Sequence, residues 1–291
     1  MSNFIYPADQ YTLAVYLFGH NLEVIRYPWR ESILSALDLA GPRGAVYFCL
    51  TPETNDGTYE ALTAAFVQPL ATGQLQLRSH PWGTHHTIQA HICNYLLDEI
   101  GTQYDYALKL DADEVLYEDQ WPQLQEDLAW MRERGYKLGK PHYTHLMGDD
   151  RHEFDFIYRS KAVLMDTRAG YRFRTDRGGD ACALAGGLEY QTRLEVLHLG
   201  KMAMGREVQA LHKEREFTKL YEELGFPDPK VKAQWDQGYL DYTRVFDHDI
   251  AAGRVRPFSG PYPRYLDYYL NAARKRSHEF WEARRVTLAS E

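Results

Sequence analysis

The stretch ALKLDADEVLYED, residues 107–119, passes from an apolar lead into a run of acids. Asp111 and Asp113 stand two apart, and in extended backbone such residues share a face with Cα atoms roughly 6.5–7 Å apart. Both carboxylates can therefore reach one ligand. Mg²⁺ and Mn²⁺ take oxygen ligands and accept substrate phosphates in their remaining positions, so this spacing suits a cation that carries a diphosphate. The same acids could instead cap a helix or form a solvated turn. Glu114 reads as a supporting or capping residue, and Glu118 and Asp119 as the start of the next helix, where the positive end of the dipole favours acids.

Other groups compete for a chemical role. His85, His86, Gln89 and His91 crowd one predicted helix, and His142, His145 and His152 follow downstream, which invites a zinc reading. Against zinc, no H-E-x-x-H occurs, and His142 and His145 lie on a strand-like segment. Cys49, Cys93 and Cys182 are isolated, which argues against a disulfide framework or a zinc-thiolate centre. The glycine-rich run RTDRGGDACALAGG carries Asp176 and Asp180, and His198 ends a short apolar segment, LEVLHLGK.

The elements that must position these groups alternate. TLAVYLFGH reads as a strand, WRESILSALDLAG as a helix stopped by Gly41, AVYFCL as a strand buried on both faces, and NDGTYEALTAAFVQPL as a helix begun by Asn55 and Asp56. QLQLRSH, THHTIQAHICNYLLDEIG and YDYALKL repeat the order, so three strand–helix units precede the acids, a pattern that favours a parallel sheet. EDQWPQLQEDLAWMRERG reads as a helix, and GKPHYTHLMG and FDFIYRSKAVLMD as longer strands able to run antiparallel. Residues 202–224 read as a charged helix, and the remainder beyond GFPDP as mostly helical.

Composition narrows the function classes. A formal charge of −8 opposes nonspecific binding to nucleic-acid backbones. No run approaches the 18 or so apolar residues of a membrane span, and the first residues lack signal-peptide character, so a cytoplasmic protein is expected. A basic tail, Arg274, Lys275, Arg276, Arg284 and Arg285, could guide peripheral contact with a membrane, a phosphorylated lipid or nucleic acid. Glu279 and Glu282 interleave it and favour a solvated face.

Residues 11–221 resemble a family 2-type glycosyltransferase of the GT-A fold, bacterial or phage type. LFGHNLEVIRYPWRESILSAL resembles the opening strand, nucleotide loop and first helix, and CLTPETNDGTYEAL the S-x-D-G-T block, with Asp56, Gly57 and Thr58 on the D-G-T. THHTIQAHICNYLLDEIGTQYDYALKLDADEVL is similar to the approach helix and D-x-D strand. FIYRSKAVLM with GYRF resembles the later strand pair, and VLHLGKMAMGREVQALHKEREFTKLY the H-x-G-x terminus and charged helix. Thr54 and Asn55 depart from the acidic pair usual before D-G-T, and no clear E-D pair supplies a base.

The resemblance implies an α/β GT-A (Rossmann-like) fold, with a mixed, mainly parallel sheet flanked by helices. The chain's own break at GFPDP places a boundary near 200–225, giving a catalytic domain over 1–200 and a helical extension over 201–291 expected to pack on it. The resemblance further implies inverting transfer of a sugar from a nucleoside-diphosphate donor, with UDP-sugar favoured, to a hydroxyl of an acceptor glycan, a lipid-linked sugar or a modified nucleic acid, assisted by Mn²⁺ or Mg²⁺. Asp56 would recognise the base, with Phe18, Gly19, His20, Asn21, Thr51, Glu53 and His91 around the donor. Asp111 would face ribose or metal, Asp113 would ligate the cation, and His198 would complete its shell. Asp180, with Asp176 as alternative, would be the general base. A metal-dependent nucleotidyltransferase and a noncatalytic sugar-nucleotide-binding module remain alternatives. The former lacks a Gly-Ser pair before the acids and a P-loop.

Overall fold

Strand β1 (Leu13–Gly19) is buried along its whole length. Its alternate side chains serve two different cores. Leu13, Val15 and Leu17 join one cluster, while Ala14, Tyr16 and Phe18 join the other, as the two-residue period of a strand requires. Helices α1 (Leu22–Ile25) and α2 (Trp29–Ala40) follow, then β2 (Ala45–Leu50), α3 (Thr58–Ala65), α4 (Val67–Thr72), β3 (Leu75–Ser79), α5 (Ile88–Ile100) and β4 (Tyr106–Lys109). Trp29 and Ile33 of α2 cover the first face, and Ile92, Cys93 and Leu96 of α5 cover the second. Full burial of such side chains contributes about 1.5–3 kcal/mol each.

The computed structural model describes residues 10–82, 88–148, 150–154, 159–175, 182–183, 187–202, 253 and 255–275. In it β3-β2-β1-β4 lie in that order, all parallel. The chain continues through β5 (Glu114–Leu116), α6 (Trp121–Arg134), β6 (Leu138–Gly148), β7 (His152–Phe154), β8 (Leu164–Asp166), β9 (Arg172–Phe173), β10 (Cys182–Ala183), β11 (Glu189–Met202), β12 (Val255–Pro257) and a helix α7, 267–275. Beyond β4 the sheet proceeds β8-β6-β7-β12 through antiparallel pairs, while β11 runs parallel to β6 and antiparallel to β5. This is the expected mixed α/β sheet flanked by helices, parallel in its first half and largely antiparallel in its second.

Four local expectations change. NDGTYEALTAAFVQPL is two helices, broken at Phe66 (φ −119°). Restarting at Val67 puts Pro69 in a first turn, where its missing N–H costs no helical bond. FDFIYRSKAVLMD starts on the last residue of β7, Phe154, and ends in β8, and its described residues 159–163 are not part of a strand. LEVLHLGK is the end of a strand from Glu189 to Met202, which pairs with β6 for most of its length. Glu118 and Asp119 precede α6 without entering its first turn. Glu118 accepts from the Arg264 N–H at 3.1 Å, and Asp119 takes a left-handed backbone, φ 61°.

Of the helix expected at 202–224, Met202 is the last residue of β11 and 203–224 lie outside the described residues, as do Arg276, Arg284 and Arg285 of the basic tail. Leu266, Tyr269, Leu270 and Ala273 pack against Val115, Leu146, Leu197 and Leu199. Arg274 pairs with the buried Asp150 at 2.5 Å. Among the described residues no helix is long and apolar enough to cross a membrane.

Candidate active site

Where β4 ends, the Leu110 N–H still donates to Tyr16 O, and the chain then leaves the sheet. Residues 111–114 close a turn from both sides: the Glu114 N–H donates to Asp111 O at 3.0 Å, and the Asp111 N–H to Glu114 Oε2 at 2.9 Å. Helix α2 fastens this turn. Ser32 Oγ donates to Ala112 O at 3.0 Å, and Ser35 Oγ accepts from the Leu116 N–H at 3.1 Å. Glu114 thus caps the turn from a fully buried position.

Two lysines meet the acids. Lys109 Nζ lies 2.7 Å from Asp111 Oδ1, and Lys161 Nζ lies 3.0 Å from Asp111 Oδ2 and 2.8 Å from Glu114 Oε1. Lys161 also sits over the Tyr143 ring. Burial opposes ionisation of Asp111, but the two ammonium groups outweigh it and hold the carboxyl well below its usual range. Burial pushes Glu114 up to about 8, reinforced by the charges of Asp111 and Asp113 and opposed by both lysines. Three carboxylates against two ammonium groups leave one negative charge in excess, which a proton or a cation relieves.

Asp113 is 8% exposed. Its carbonyl accepts from the Leu199 N–H at 2.8 Å, and its Oδ2 lies 3.5 Å from His198 Nε2. Gly200 makes room for that carboxylate, since a Cβ there would fall 2.0 Å from Asp113 Oδ2. On the far side of the imidazole, His198 Nδ1 faces His145 Nδ1 at 3.1 Å. Among the described residues no group of three or more His, Cys, Asp or Glu is placed to hold a metal. Two donors do fit one. Asp113 Oδ2 and His198 Nε2, 3.5 Å apart, are close enough to share one cation, and Mg²⁺-type ions fill the rest of their shell with water and phosphate. The two lysines engage both oxygens of Asp111. His85 and His86 lie outside the described residues.

The loops after β1 and β2 stand beside this turn, with Lys109 Nζ 5.8 Å from the Phe18 ring centre. The Trp82 indole stacks on His20 at 5.6 Å and 22°, and tilts against Phe18. His20 Nδ1 pairs with Thr51 Oγ1 at 2.7 Å, and Glu53 Oε2 accepts from the Trp82 N–H at 3.2 Å. Gly19 leaves space for Leu22 against the backbone. Asn21, φ 51°, accepts from the Asn55 N–H, and Asp56 accepts from the Val24 and Thr58 N–H groups and from Thr58 Oγ1. These bonds outweigh burial and lower the Asp56 pKa, so its carboxylate ties the two loops together. His91 is exposed on α5. Asp176 and Asp180 lie outside the described residues.

Sequence reasoning missed Lys109, Lys161 and Trp82, and singled out His145 only among the histidines of the zinc reading. Lys109 had a signal: a lysine in an apolar strand two residues before Asp111, on the same face. The others come from segments distant in sequence.

No protein-family model matches the chain, and no curated protein matches it in sequence. Among solved structures it is similar to S. aureus TarS 1–349 in complex with UDP, at 12% identity over 81% of this chain and 72% of that one, TM-score 0.41. It is similar to the mannosyltransferase PcManGT from Pyrobaculum calidifontis in complex with GDP-Man and Mn²⁺, at 14% identity over 94% and 90%, TM-score 0.47. A third is GalNAc-T7 with UDP, GalNAc and Mn²⁺, at 11% identity over 86% and 59%, TM-score 0.44. Likeness at this level describes only the course of the chain.

Proposed function

We propose that this chain is a metal-assisted, inverting glycosyltransferase that moves a sugar from a nucleoside-diphosphate donor, UDP-sugar first, to a hydroxyl of a glycan or lipid-linked acceptor. The observation that carries this reading is the Asp113–His198 pair at the end of the acidic turn, next to the loops that leave β1 and β2. In open α/β sheets, ligands bind at the carboxyl ends of the strands, where these groups gather. Asp113 and His198 would hold Mn²⁺ or Mg²⁺, and such an ion stabilises the negative charge that develops on a leaving diphosphate.

The chain's own residues divide the remaining work. Lys109 and Lys161 keep Asp111 ionised and the turn rigid. Phe18, His20 and Trp82 offer rings for the donor base, with Thr51 and Glu53 at their edge, while Asn21 and Asp56 hold the loop that frames them. Asp180, or Asp176, would take the proton of the acceptor hydroxyl on the face opposite the leaving phosphate, as inversion requires.

Isothermal titration with UDP, GDP and dTDP, with and without Mn²⁺, tests the reading. Metal-dependent binding of at least one nucleotide is expected, with loss in Asp113→Ala. No metal-dependent binding to any of them overturns it. Release of pyrophosphate from a nucleoside triphosphate would favour nucleotidyl transfer instead.

A further inference from the structure

His145 has no part in the reading above, yet it is 2% exposed, and the parallel register of β6 and β11 sets it directly beside His198. The two rings meet edge to face, with centroids 4.8 Å apart and planes at 64°. Their Nδ1 atoms are 3.1 Å apart. Two imidazole nitrogens at this distance attract only when one carries a hydrogen and the other a lone pair. The Tyr143 ring stacks on His145 at 6.0 Å and 19°, which limits how far the imidazole can turn.

We infer that His145 is a positioning residue that fixes the tautomer and orientation of His198, so that His198 presents a bare Nε2 to a divalent cation shared with Asp113. The inference rests on the metal-assisted reading. A cation on Nε2 needs that atom unprotonated, so the His198 hydrogen must sit on Nδ1. His198 Nδ1–H then donates to His145 Nδ1, and His145 carries its own hydrogen on Nε2. The partner of a ligating histidine acts by holding the ring and its proton in place, and its loss typically costs 10–100-fold in metal affinity.

The test is Mn²⁺ binding to the full chain without nucleotide, by titration and by electron paramagnetic resonance of free Mn²⁺. His145→Phe keeps the ring and removes the acceptor. His145→Asn puts an amide oxygen where Nδ1 was. The expected result is a loss of about 10–100-fold in affinity for His145→Phe, with most of it recovered in His145→Asn. In a His198→Ala background the His145→Phe change should have no further effect. Unchanged affinity in His145→Phe, equal losses in both variants, or a persisting loss in that background would overturn the inference while leaving the cation reading intact. Absence of Mn²⁺ binding to the unaltered chain would remove the cation reading and this role with it. Should His145→Phe fail to fold, ¹⁵N NMR of the Mg²⁺-loaded unaltered protein decides: hydrogen on His198 Nδ1 and on His145 Nε2 supports the role, and the reverse assignment overturns it.

Discussion

Replacing Gly200 by alanine would drive a methyl group into the carboxylate of Asp113. The added Cβ would lie 2.0 Å from Asp113 Oδ2 and 3.1 Å from both Asp113 Cγ and His198 Cε1. Ordinary contact begins at 3.4 Å, so the oxygen must retreat by about 1.4 Å. The Asp113 carbonyl is held by the Leu199 N–H, so the side chain must turn while the backbone stays. That turn separates Oδ2 from its position 3.5 Å from His198 Nε2, and the two-donor set is lost. Mn²⁺ affinity should fall at least tenfold, with about 1–3 kcal/mol of stability lost to overpacking. Titration with Mn²⁺ and thermal melting measure the two effects. Gly139→Ala is the control: its Cβ would press on Leu164 and Thr192 side chains at 2.7 and 2.9 Å, far from any donor. It should lower the melting temperature and leave Mn²⁺ affinity alone. Equal Mn²⁺ affinity in Gly200→Ala and the unaltered chain would refute the reasoning.

Two further predictions concern the neighbouring groups. Glu114 binds a proton in the folded state up to about pH 8, against 4.5 for the ordinary group. The unfolded state loses that proton first, so this residue makes stability fall as pH rises through that window. Glu114→Gln cannot ionise and should flatten the fall, read as urea midpoints at about pH 5 and about pH 8.5; a midpoint ratio that matches the unaltered protein contradicts the protonated assignment. Trp82→Ala removes the ring stacked on His20 and should weaken UDP binding about tenfold, within the range of one base–aromatic stack, without changing affinity for Mn²⁺ alone. An unchanged UDP titration would take Trp82 out of the donor site.

The parallel half of the sheet was legible because β1 and β2 are continuous apolar runs and α2 stops at Gly41. The acidic turn was legible because Asp111, Asp113 and Glu114 are local in the chain. Lys161 and His145 were not. Lys161 reaches Asp111 across 50 residues, and His145 reaches His198 across 53, through an antiparallel and mixed region whose pairing no spacing records. Trp82 depends likewise on the order in which β1, β2 and β3 lie side by side. Asp56 shows the converse. Its D-G-T block was visible, but only the folded loops reveal that its oxygens accept from the Val24 and Thr58 N–H groups and the Thr58 hydroxyl.

The central claim is that the Asp113–His198 pair serves transfer from a sugar nucleotide, and hydrolysis of a panel of nucleotide sugars with Mn²⁺ tests it most directly. The account predicts release of nucleoside diphosphate from at least one donor, abolished by chelation of the metal and by Asp113→Ala. A hydrolysis rate unaffected by Asp113→Ala, or no turnover of any donor, would contradict it.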